Sequence, residues 1–123
     1  MSNNSSYKSI ITAAQTEIVV KHSRFIASAF PVENAETAEK KIAVIKNRYN
    51  DASHNCSAYV IDETRMRFSD DGELQGTAGK PILSVIQKRG LAKVLITVTR
   101  YYGGVNLGSG GLVLACSAYK EAA

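Results

Sequence analysis

All nine glycines of this chain lie between Gly72 and Gly111, and none precedes them. Eight fall in two runs, Asp70 to Pro81 and Arg100 to Gly111, with Gly90 apart. Glycine supplies positive φ and close backbone approach, which the interior of a packed strand or helix does not want. The two runs therefore read as loops built for a purpose, and regular elements must be found around them.

At 123 residues the chain fits one domain, and 45% hydrophobic against 21% charged residues is an ordinary globular balance. Residues 1–9 read as a disordered polar leader and 10–123 as a single domain. The start, Met1 to Ser6, has neither the basic nor the apolar region of a secretory signal. No apolar run approaches the roughly 18 residues of a membrane span. A cytoplasmic protein with no membrane partner is expected. Two cysteines, Cys56 and Cys116, are too few for a disulfide framework and read as free thiols. A formal charge of +4 favours anionic partners only weakly.

The segment from Ile18 to Val32 holds two β-rich stretches around a polar turn, Lys21-His22-Ser23-Arg24. Asn34 is an N-cap signal opening a helix with Ala35, Ala38, Ile42, Ile45 and Tyr49 on one face. Cys56 to Ile61 alternates as a strand, with Arg65 to Phe68 as its hairpin partner. Pro81 starts a short helix that ends at Gly90. Val94 to Thr99, the most β-branched run, predicts a central buried strand. A last helix is expected from about Gly111 to Lys120; with no stop signal after it, the chain is expected to be part of something longer. The predicted order is β-β-α-β-β-α-β-α. This is an α+β domain, with a mixed four- to five-stranded sheet and helices on one face.

A glycine loop between a buried strand and a helix presents main-chain N–H groups and a helix dipole to an anion. Neither run fits a nucleotide fingerprint: Val113 stands where a dinucleotide motif needs glycine, and Leu74 and Pro81 break the phosphate-loop pattern. The neighbours still suggest polar recognition. Asp70, Asp71 and Glu73 lie within four positions, and Lys80 and Arg100 bring cations. The candidate surface comprises these with Gly76, Thr77, Gly79, Tyr101, Tyr102, Gly103, Gly104, Gly108, Ser109, Gly110 and Gly111. Carboxylates there could hold Mg²⁺, but a solvated acidic turn paired to a base explains them more simply, so no metal or other cofactor is assigned. Arg100, Tyr101 and Tyr102 could form a stacking platform for single-stranded RNA. His54 and Cys56 share a strand face and, with Arg24, form a secondary set; two residues make neither a zinc site nor a triad.

The blocks Phe68-Ser69-Asp70-Asp71-Gly72-Glu73, Gly76 to Leu83, Val98 to Gly104 and Leu107 to Val113 together resemble the signature of the YigZ/IMPACT family. Ser23 to Ala27 and Asp51 to Cys56 match its earlier blocks. The resemblance implies a fold like the second domain of a small-subunit ribosomal protein family and domain four of the translocation elongation factor. It also implies a further domain in longer relatives, and a place in translational control. Departures include Leu74-Gln75 where Pro-Ser is common, Tyr102 where Phe is usual, and Leu114 and Cys116 where an Arg and a Tyr are usual. The expected function is a non-enzymatic module binding a ribosome-associated protein or RNA through the two loops. The alternative is an enzyme of unknown reaction acting on a small phosphorylated ligand, with or without Mg²⁺.

Overall fold

A computed structural model describes residues 9, 10, 12–20, 22–72 and 78–101. Seven elements follow in order: β1 (Ala14–Val20), β2 (Ser23–Pro31), α1 (Ala35–Arg48), β3 (His54–Val60), β4 (Met66–Ser69), α2 (Gly79–Lys88) and β5 (Val94–Tyr101). The strands form one sheet in the order β1-β2-β5-β3-β4. The α+β class and the element order down to β5 are as the sequence predicts. The helix expected from Gly111, and Cys116 within it, lie outside the described residues.

Two expectations are corrected. Every described strand pair is antiparallel, so the sheet is not mixed. The two helices lie on opposite faces rather than one. Val94, Ile96 and Val98 of β5 pack in a cluster with Ile82 and Ile86 of α2, whereas Leu95 packs in a second cluster with Ala38 and Ile42 of α1. Successive strand residues point to opposite faces, so this split in parity places one helix on each side. It also explains why β5 is buried along its length from Val94 to Arg100.

Local chemistry sets the boundaries. Asn34 caps α1, its Oδ1 accepting the Thr37 N–H at 2.8 Å, and Glu36 and Arg48 suit the helix dipole at either end. The first hairpin is tighter than expected. Ser23 and Arg24 are already in β2, where they pair with Val20 and Val19, so only two residues separate the paired strands. His22, one of the two, takes φ +73. At the same end of the sheet, β5 continues through Arg100 and Tyr101, residues the sequence reading gave to a loop.

Candidate functional site

The antiparallel order brings the beginnings of β2 and β3 and the ends of β4 and β5 to one end of the sheet. The stems of both glycine-rich segments are therefore neighbours. The β5 end and the β4 end flank the start of β3, about 10 Å apart at the usual ~4.8 Å strand spacing. Main-chain and side-chain bonds tie this end together. Ser53 N–H donates to the Arg100 carbonyl at 2.9 Å, and the next residues of the same strand entry, His54 and Asn55, bond to Asp71.

The acidic pair does structural work. Asp70 Oδ1 accepts the N–H groups of Ala78 and Gly79 at 3.2 and 2.8 Å, satisfying two donors at the start of α2. Its carbonyl accepts the Cys56 thiol at 3.3 Å. Asp71 Oδ2 takes the Asn55 N–H at 2.6 Å, and its other oxygen lies 3.4 Å from Lys46 Nζ of α1. The Asp71 carbonyl faces His54 Nδ1 at 2.8 Å, which makes that nitrogen the donor. His54 and Cys56 thus share a face, as expected, and both address consecutive carbonyls of one turn. That turn runs through positive φ at Asp71 (+46) and Gly72 (+86). Gly79 is required by close approach: a Cβ there would stand 2.8 Å from the Ser69 main chain.

The two cation–aromatic candidates separate. Arg100 lies on the α2 face, 3% exposed, with its guanidinium 5.8 Å from the Phe25 ring. Tyr101, one residue on, points to the α1 face. The guanidinium stacked on it belongs to Arg24, the residue opposite it on β2, at 5.0 Å from the ring centroid. Arg24 Nε also bonds Glu17 at 2.7 Å, and the Tyr101 hydroxyl donates to Asp51 at 2.9 Å. Hydrogen bonding from Arg24 holds the Glu17 carboxyl below its usual range. Burial, then the bond to Asp51, pushes the Tyr101 phenol up. Lys80 is exposed in the first turn of α2. Glu73, Gly76, Thr77, Tyr102, Gly103, Gly104, Gly108, Ser109, Gly110 and Gly111 lie outside the described residues.

The sequence reading did not single out Glu17, Asp51 or Lys46. A two-residue separation of the first paired strands would have revealed Glu17, because that register puts residues 17, 19, 24 and 26 on one face. Asp51 and Lys46 carry no comparable local signal; they are brought in by the packing of α1 on the sheet. Among the described residues, no group of three or more His, Cys, Asp or Glu is arranged to hold a metal ion, and no helix is long and apolar enough to cross a membrane.

A family model described as the Impact N-terminal domain matches residues 21–123. This chain belongs to the IMPACT family. It is 46% identical over 112 residues to IMPACT family member YvyE of Bacillus subtilis (strain 168), covering 89% of this chain and 52% of that one. It is 40% identical over 112 residues to IMPACT family member YigZ of Escherichia coli (strain K12), with coverage of 86% and 55%. The chain thus spans about half the length of these curated relatives.

Two solved structures share the fold. A crystal structure of a hypothetical protein superposes with a TM-score of 0.82 at 36% identity, covering 90% of this chain and 56% of that one. The two-domain translational regulator Yih1 gives a TM-score of 0.60 at 26% identity, over 90% of this chain and 45% of that one.

Proposed function

We propose that this chain is a binding module of translational control that engages a ribosome-associated partner, RNA in the first instance, at the end of the sheet where both glycine-rich segments leave it. The observation that carries this reading is the exposed Arg24 guanidinium stacked on Tyr101 at the β5 stem, on the sheet end that both stems share. An aromatic ring and a planar cation held together offer a surface on which an unpaired base can stack without sequence preference. Similarity to a translational regulator supports the setting.

The enzyme reading draws less support from the same geometry. It needs Asp70 and Asp71 directed at a ligand, and both carboxylates hold main-chain N–H groups instead. Removing either would loosen the loop before it touched any chemistry.

Filter binding of short single-stranded RNA to the whole chain, at low and moderate salt, tests the proposal. Saturable binding that weakens with salt is expected. Arg24→Ala and Tyr101→Ala should each weaken it about tenfold, the scale of one lost stacking contact, while Lys40→Ala on the outer side of α1 changes it less than twofold. Equal losses in all three variants would remove this surface. An absence of RNA binding with retained co-sedimentation on ribosomes would identify a protein partner.

A further inference from the structure

We propose that strand β4 is a docking edge for an extended peptide segment of a protein partner, one that alternates acidic and apolar side chains. This site is separate from the Arg24–Tyr101 surface and does not depend on it. Among the described strands β4 is the last in the sheet order, paired on one side only, with β3. The Ile61 N–H bonds to the Arg65 carbonyl at 2.8 Å, which marks that opposed pair as hydrogen-bonded. In an antiparallel ladder such pairs alternate, so Arg67 and Ser69 bond inward to β3. The N–H and carbonyl groups of Met66 and Phe68 then face away from the sheet.

Two clefts border this strand, one on each face. On the α1 side, a cleft of about 190 Å³ is lined by Glu39, Ile42, Lys46, Tyr59, Arg67 and Ser69. On the α2 side, a cleft of about 260 Å³ is lined by Val60, Met66 and Leu91 together with Gln87 and Glu63. Phe68, 45% exposed, borders the first cleft. An added strand would place successive side chains on opposite faces, hence alternately into the cleft that carries Lys46 and Arg67 and into the one that offers Val60, Met66 and Leu91, where Glu63 turns an acidic side chain away. That two-sided repeat fits a peptide strand and has no counterpart in a nucleic acid.

The charge of the first cleft selects the sign. Glu39 already accepts the Tyr59 hydroxyl at 2.9 Å. The cations at the mouth are held loosely, Arg67 at 3.5 Å from Glu39 and Lys46 at 3.4 Å from Asp71, and the Arg67 side chain is 73% exposed. Acidic side chains of the incoming strand would meet both. The brevity of β4 and the charge at Arg67 also make the edge a poor template for a second copy of this chain.

The test is an NMR titration of the whole chain with a capped eight-residue peptide alternating valine and aspartate, against one alternating valine and lysine. Saturable shifts at Lys46, Arg67, Phe68 and Ser69 are expected, at least tenfold weaker for the lysine peptide. Phe68→Pro removes an outward N–H while leaving the inward ladder intact and should abolish binding. Phe68→Val, which keeps that N–H, should retain it. Arg67→Glu should reverse the preference, and it decides the matter if the proline variant does not fold. The proposal is overturned by no saturable shift at millimolar peptide, by equal binding of both peptides, or by Phe68→Pro binding as well as Phe68→Val. Concentration-dependent shifts at β4 without peptide would assign the edge to a second copy and overturn it equally.

Discussion

The two faces of the sheet differ in kind. The face under α2 is apolar across its central strands: Phe25, Ala27 and Ala29 of β2, Cys56, Ala58 and Val60 of β3, and Val94, Ile96 and Val98 of β5 close on Ile82 and Ile86. The face under α1 carries a polar row through every strand. Gln15, Ser28, Thr97, Ser57 and Ser69 are successive cross-strand partners, and Ser28, Ser57 and Thr97 are buried. The apolar face holds the domain together. The polar face positions side chains such as Tyr101 and Arg67 that reach its rim.

This contrast can be broken from either side. The largest effect is expected for Ile96→Ala, which empties a fully buried site on the apolar face and should cost about 3 kcal/mol in urea unfolding. Asp70→Ala should follow at about 1–2 kcal/mol, because it uncaps the helix that seals that face. A loss as large as that of Ile96→Ala would mean that the turn, rather than the core, governs stability.

On the polar face, Tyr59→Phe deletes one hydrogen bond to Glu39 and should cost about 1 kcal/mol. Burial, and then that bond, push the Tyr59 phenol above its ordinary value of 10.0. The unfolded chain therefore ionises first as pH rises. Stability from this group is complete below pH 10 and declines above it, and Tyr59→Phe should flatten that alkaline slope. The smallest change belongs to Thr97→Val. Its hydroxyl is buried and makes no hydrogen bond among the described residues, so exchange for a methyl of similar shape should move stability by less than about 0.5 kcal/mol, in the stabilising direction. A clear loss would show that the row acts as a connected network.

Punctuation made much of the fold legible. Asn34, the helical spacing from Ala35 to Ile45, and the β-branched run from Val94 each declared an element through chemistry acting within a few residues. The candidate site was legible only as composition. Asp70 and Asp71 stood out as acids beside glycine, but nothing near them in the chain shows that their partners are the start of α2, the N–H of Asn55 and Lys46. Arg100 and Tyr101 looked like one platform because they are adjacent; in a strand adjacency means opposite faces.

By itself, then, the chain's order of residues determined its family, its α+β class and the elements from β1 to β5, because propensity, capping and periodicity act locally. Tertiary structure alone decided that the sheet is antiparallel, that α1 and α2 cover opposite sides, and that Arg24 rather than Arg100 stacks on Tyr101. Those outcomes rest on register between strands far apart in the chain, and register is chosen by which faces must be buried together.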